Sequence, residues 1–136
     1  MKHEKSCGAV IFTREQNETK FLLIQHKGSG HWSFPKGHVE GNETEHETAT
    51  REIKEETSLN VDFIGDFRVC VTYSPKANVT KDVIYFLAKA KSTIFSLQET
   101  EIKTAKWVLA DRAINFVTYE NDKNILKKAI EYLEKQ

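Results

Sequence analysis

No run of apolar residues in this sequence approaches the ~20 that a helix needs to cross a bilayer. A helical membrane span is therefore not expected. The opening stretch, MKHEKSCGAV, lacks the apolar region of a secretory signal. Cysteine is scarce: Cys7 and Cys70 make no metal-type spacing and no disulfide framework, and fit buried strand positions in a reducing cytoplasm. Net charge is also missing, since 20 basic residues balance 20 acidic ones. No overall field draws in nucleic acid or an anionic membrane, so a polyanionic ligand needs local positive charge or a metal ion. Repeats, low-complexity segments and internal linkers are absent. The length and the 39% hydrophobic content predict one domain, residues 1–136, around one core.

What is present reads as strands around one central helix. Residues 5–13 and 20–26 are apolar strands joined by the polar turn Arg14 to Thr19. Lys27 to His31 is a glycine-rich loop. Trp32 to Phe34 is a short extended piece stopped by Pro35, and Gly37 to Asn42 is a second loop. From Thr44 the pattern turns helical and runs to about Thr57, with Thr44 and Glu47 spaced as a capping box. Residues 61–73 are one long or broken strand, Ser74 to Thr80 a hairpin-like loop, and residues 82–90 a strand with a centre, VIYFL, buried on both faces. Residues 104–109 are a last strand. Asp111 to Phe116 and residues 122–134 are helices, the second with an apolar stripe from Ile125 to Leu133. This order predicts an α/β fold in which helices pack on a mixed sheet.

The central helix is crowded with acid. At 100° per residue, Glu56 lies about 40° to one side of Glu52 and Glu55 about 60° to the other. All three project into one sector, at the edge of the apolar stripe formed by Ala49 and Ile53 and continued by Leu59. A charge run on a helix is usually a solvated face, and Glu47 with Arg51 has the i, i+4 spacing of an ordinary pair. Yet three carboxylates in one sector, with only Lys54 close by, repel one another. Hard divalent cations such as Mg²⁺ take oxygen ligands of this kind, which favours a metal site over a solvated face.

The spacing Gly37, five residues, Glu43, seven residues, Arg51-Glu52-Ile53, one residue, Glu55-Glu56, one residue, Ser58-Leu59 resembles the signature of the Nudix hydrolases. That resemblance implies an α/β/α sandwich around a mixed β-sheet, and cleavage of a nucleoside diphosphate linked to another group. It implies Mg²⁺, with Mn²⁺ as substitute, on Glu52, Glu55, Glu56 and the Gly37 carbonyl, with Arg51 and Glu43 tying loop to helix. Glu56 is one expected general base. Glu101, six residues before Trp107, is the other, and would otherwise be a plain loop acid. One position departs: Ser58 stands where the family has glycine. A left-handed serine there costs about 1 kcal/mol unless Asn60 takes that turn instead.

The flanking residues sharpen the resemblance. The run GHWSFPKGHVEG, with SCGAVIF and DVIYFLA, is similar to the asymmetric diadenosine tetraphosphate hydrolases. The implied substrate is a small dinucleoside polyphosphate, split to ATP and AMP. His31, Lys36 and Lys81 would hold the phosphates, Tyr85 would contact the phosphate chain or nucleoside, and Tyr73 would stack on adenine. Plainer roles compete: Lys81 as an edge-strand lysine, Tyr73 as a strand-end aromatic, Tyr85 in the core, and Trp32 packed under its loop. The rival readings are a Nudix enzyme for oxidised nucleoside triphosphates or RNA 5′ ends, and a silent nucleotide sensor. Neutral charge argues against RNA, and the intact glutamates argue against the sensor.

Overall fold

The computed structural model describes residues 1–136. In chain order the elements are β1 (Lys2–Glu15), β2 (Glu18–His26), β3 (Trp32–Ser33), β4 (Lys36–His38), α1 (Glu45–Thr57), β5 (Val61–Lys76), β6 (Val79–Ala90), β7 (Ile102–Leu109), α2 (Ala110–Phe116) and α3 (Glu120–Glu134). The seven strands form one mixed sheet. β1 lies parallel to β6 from Lys2↔Val79 to Phe12↔Lys89, and β5 runs antiparallel outside β6. No helix is long and apolar enough to cross a membrane.

Alternation along the strands divides the core in two. Cys7, Ala9 and Ile11 of β1, with Ile84 and Phe86 of β6, pack against Ala49, Ile53 and Leu59 of the α1 region. Val10, Phe12, Val83, Tyr85 and Leu87 point the other way, toward Ala113 of α2 and Ile125, Leu126, Ala129 and Leu133 of α3. Helices therefore cover both faces, the α/β/α sandwich expected. Full burial of Ile53 is worth roughly 1.5–3 kcal/mol, and it seats α1 on the sheet.

The sheet forks where the site will form. β1 and β2 pair antiparallel only from Phe12↔Phe21 to Glu15↔Glu18. Beyond that they part. β3 then pairs with β2, and β4 pairs with β1 through Ser6↔His38, Cys7↔Gly37 and Gly8↔Lys36. Pro35 sits between the two short strands, and its carbonyl accepts the Ala9 N–H at 3.3 Å. Gly8 is required here, because a Cβ would stand 2.0 Å from that carbonyl oxygen. β7 closes the other side of β2.

Several expectations change. The loop expected from Gly37 begins as strand β4 and becomes irregular only after His38. β1, β6 and β7 start earlier than their apolar centres, and the Ser74–Thr80 loop shrinks because β5 reaches Lys76 and β6 begins at Val79. Polar strand ends are held by pairing, which hydropathy does not report. β5 is interrupted as expected, by a register shift between Phe63 and Arg68. Cys7 is buried but Cys70 is exposed on the outer strand, so only one of the two fits the buried position expected.

The capping box forms: Thr44 Oγ1 accepts the Glu47 N–H at 3.1 Å, and Glu47 Oε1 accepts the Thr44 N–H at 2.8 Å. Glu47 is thereby spent on the helix start and makes no pair with Arg51, contrary to the i, i+4 expectation. At the other end Ser58 is left-handed (φ 65), with its N–H on the Lys54 carbonyl, while Asn60 does not take a positive φ. Ser58 Oγ offsets part of the strain by donating to the Ser96 carbonyl at 3.0 Å. Ser58→Gly and Ser58→Ala both lose that bond, but only alanine keeps the strain. Urea denaturation is expected to find the glycine variant about 1 kcal/mol more stable than the alanine variant.

Candidate active site

Arg51 organises the helix side of the fork. Its Nε and Nη2 donate to the two oxygens of Glu43 at 2.7 and 3.1 Å, and Nη2 also donates to the His38 carbonyl at 2.9 Å. Nη1 donates to Glu52 at 2.9 Å and to Glu55 at 3.3 Å. Glu43 further accepts the Thr48 hydroxyl and the Glu40 N–H. The Arg51 bonds, then these two, hold its carboxyl down at about 2. The same carboxylates, Glu43 first, hold the guanidinium firmly protonated. The loop from His38 to Glu43 is thus fastened to α1 by one planar group, as expected of Arg51 and Glu43.

The three sector glutamates differ in exposure. Glu55 is half-exposed, Glu52 keeps 15% of its side chain exposed, and Glu56 is only 2% exposed. Neither carboxylate oxygen of Glu56 has a hydrogen-bond partner. Burial first, and then the adjacent Glu52 carboxylate, push Glu56 up to about 9. Gly37 lies directly over Glu52: a Cβ there would stand 2.0–2.2 Å from the carboxylate atoms. Only glycine lets the β4 backbone come this close. As the side chains stand, no three acidic, histidine or cysteine groups converge tightly enough to hold a metal ion, because Arg51 draws Glu52 and Glu55 toward itself. The donor set nonetheless suits a hard cation, with two buried oxygens lacking any donor and a second carboxylate beside them.

Glu101 reaches this region through the loop before β7. Gln98 N–H donates to the Glu56 carbonyl and Ser96 N–H to the Thr57 carbonyl, while Gln98 itself accepts from Glu101 and Ile102. The loop is therefore tied to the end of α1. Glu101 is exposed, and its charge adds to the upward push on Glu56.

On the opposite face of the sheet lies a cavity of about 590 Å³. The structure brings His31, Lys36, Tyr73 and Tyr85 together in its wall, with His26, Ser33 and the segment Tyr119 to Asp122. Lys81 is not in its wall; it is half-buried, and burial and then the Lys36 charge lower its pKa. Tyr85 is buried against Phe34, the core position weighed for it, and still borders the cavity. Tyr73 is 41% exposed and Tyr119 48% exposed. The Tyr119 hydroxyl bonds to His31 Nδ1, and the two rings meet edge-on at 4.6 Å. Trp32 packs edge-on against Phe116, the packing role foreseen for it. A second concavity, about 500 Å³, runs along the outer side of α1 beside Arg51 and Glu55, without any apolar wall on which a base could rest.

Lys36 and Gly37 connect the two faces. Neighbours on a strand point to opposite sides, so Lys36 enters the cavity while Gly37 meets Glu52. Lys36 still lies close enough to Glu56 to oppose its upward shift. Sequence reasoning missed Tyr119, Asp122, His26 and Ser33. The start of α3 reaches the cavity because Trp32 and Thr118 bond in both directions, N–H to hydroxyl at 2.9 Å and N–H to carbonyl at 3.1 Å. No local pattern signals that contact.

A glutamate-bearing helix under a forked mixed sheet, with a nucleotide-sized cavity behind it, defines a hydrolase of one kind. The chain belongs to the Nudix family, whose domain model matches residues 2–132. Within it, the chain is similar to the asymmetrical bis(5′-nucleosyl)-tetraphosphatase of Rattus norvegicus, at 31% identity over 95% of both chains. A solved Caenorhabditis elegans Ap4A hydrolase binary complex superposes with a TM-score of 0.90 at 30% identity, covering 98% of this chain and 99% of that one. An 8-oxo-(d)GTP phosphatase of Mycolicibacterium smegmatis is 35% identical over 95% of this chain but 42% of its own length.

The Glu43 clamp has a pH signature. Its folded pKa of about 2 lies below the ordinary 4.5, so its contribution to stability is complete above 4.5 and lost as pH falls toward 2. Arg51→Gln is expected to flatten the acid limb of a stability-versus-pH curve in that window. An unchanged limb would show that the clamp does not operate in solution.

Proposed function

We propose that this chain hydrolyses diadenosine tetraphosphate and related dinucleoside polyphosphates to ATP and AMP, with water attacking the phosphate next to one nucleoside. The observation that carries the reading is the position of Lys36, which lines the cavity and lies near enough to Glu56 for its charge to oppose that carboxyl's upward shift. A phosphate chain running from the cavity to α1 passes this cation. His31 stands in the same wall as a hydrogen-bonding group, and Lys81 lies near Lys36 as a second ammonium. Tyr73 and Tyr119 offer half-exposed rings for a base, a stacking contact worth roughly 1–3 kcal/mol.

Members of this family generally use divalent ions. Here Glu52, Glu55, Glu56 and the Gly37 carbonyl would hold Mg²⁺, or Mn²⁺ in its place. The ion supplies charge neutralisation at phosphorus and a more acidic water. Phosphoryl transfer asks mainly for positioning and charge stabilisation, which Arg51 serves by holding loop and helix together. Glu56 and Glu101 are the two candidates to take the proton of the attacking water, Glu101 acting on Glu56 through its charge.

A second reading is supported by the M. smegmatis relative: hydrolysis of an oxidised nucleoside triphosphate. Separation of nucleotides after incubation with Mg²⁺ distinguishes the two. ATP with AMP is expected from diadenosine tetraphosphate; two ADP, or turnover of simple triphosphates alone, would overturn the assignment. Glu56→Gln is expected to lower kcat by about a hundred- to ten-thousandfold while leaving the fold intact. The same substitution is expected to raise the melting temperature of the metal-free chain at neutral pH, because a carboxyl pushed up to about 9 must be held protonated in the folded chain although it ionises near 4.5 when unfolded. Millimolar Mg²⁺ would stabilise the parent more than this variant.

A further inference from the structure

Asp122 has no part in the reaction just described. It occupies the third position of α3 and is 6% exposed, and its remaining surface lines the cavity. Its carboxyl accepts no hydrogen bond; burial pushes it up to about 6, opposed only by the charge of Lys36. Lys36 is not within ion-pair distance. The adjacent Lys123 is committed elsewhere, donating to the Ile114 and Val117 carbonyls at 2.9 and 3.1 Å. The helix start is capped by Tyr119 without any side-chain hydrogen bond, so Asp122 is not serving as a cap.

A buried acid is a costly thing to place in a pocket for a polyanion. Its charge repels phosphate, and its unfilled lone pairs raise the cost further. The cost is recovered only if the ligand presents an uncharged donor at that spot. The cavity is polarised in a way that allows this. The Lys36 ammonium marks where phosphate would lie, while the exposed rings of Tyr73 and of Tyr119, which is bonded to His31, and the Asp122 carboxyl mark a nucleoside end. A nucleoside carries two kinds of neutral donor, the exocyclic amine of its base and the hydroxyls of its ribose.

We propose that Asp122 is a specificity-determining residue, its carboxylate accepting a hydrogen bond from an N–H or O–H donor of the bound nucleoside and thereby selecting against nucleotides that lack it. This rests on the cavity being the nucleotide site. A site built to bond a donor rejects the analogue that lacks it far more strongly than a merely apolar wall does.

Calorimetric titration of the full chain tests this without turnover or metal. AMP, IMP, 2′-deoxy-AMP and 3′-deoxy-AMP are compared on the parent and on Asp122→Leu, which has the same branching and no acceptor. The parent is expected to bind AMP about ten- to a hundredfold more tightly than at least one analogue, and the variant to hold that ratio within about threefold. Loss with IMP identifies the base amine as the donor; loss with a deoxy analogue identifies the ribose. Asp122→Ala, which also has no acceptor, is expected to give the same collapse and serves if the leucine variant does not fold. A parent that discriminates no analogue, or variants that keep the parent's ratios, would overturn the assignment of Asp122 alone. A parent that binds no nucleotide would overturn the cavity reading and this inference with it.

Discussion

The Arg51 guanidinium joins two pieces of chain that would otherwise move apart. Its donors are shared among Glu43, the His38 carbonyl, Glu52 and Glu55. A lysine would bring the same charge but not the planar fork that bonds Glu43 through both oxygens. Because the fork is rigid, β4 and α1 behave as one unit, and the backbone at Gly37 is pressed against Glu52. The same bonds keep Glu52 and Glu55 turned toward arginine. Glu43 and the His38 carbonyl hold the guanidinium through its other nitrogens.

The forked sheet separates charge within a chain that has no net charge. Glu43, Glu52, Glu55 and Glu56 gather on the α1 side, Lys36 stands in the cavity wall with Glu120 and Asp122, and β4 lies between the two faces. Separation of this kind needs a thin partition. A pair of two- and three-residue strands, with Pro35 between them, is about as thin as a sheet can be.

Much of this was legible in the sequence, and what was legible was local. The capping box and the apolar stripe Ala49–Ile53 follow from helical spacing and stand as expected, whereas the carboxylates of Glu52, Glu55 and Glu56, placed in one sector by the same spacing, do not converge. The same spacing misassigned Glu47, because a backbone N–H one turn earlier competed successfully for its carboxylate. Strand ends ran longer than hydropathy indicated because pairing with distant partners organises polar residues such as Lys2 and Thr80. Cys70 looked like a core residue, but β5 is an outer strand with one face in solvent. Tyr119 and Asp122 were invisible for the same kind of reason: a contact 86 residues long in sequence, from Trp32 to Thr118, carries the start of α3 into the cavity.

The opposed directions of Lys36 and Gly37 set the chain's tolerance for change. Substitutions along β4 alter one face and spare the other. A single inserted or deleted residue between Pro35 and His38 does something different, because the side-chain period is two. It would turn a lysine toward the acidic helix and leave the cavity lined by bare backbone, damaging both halves of the site in one event. Among descendants of such a sequence, diversity at this segment should accumulate as exchanges of residue type, while its length stays constant.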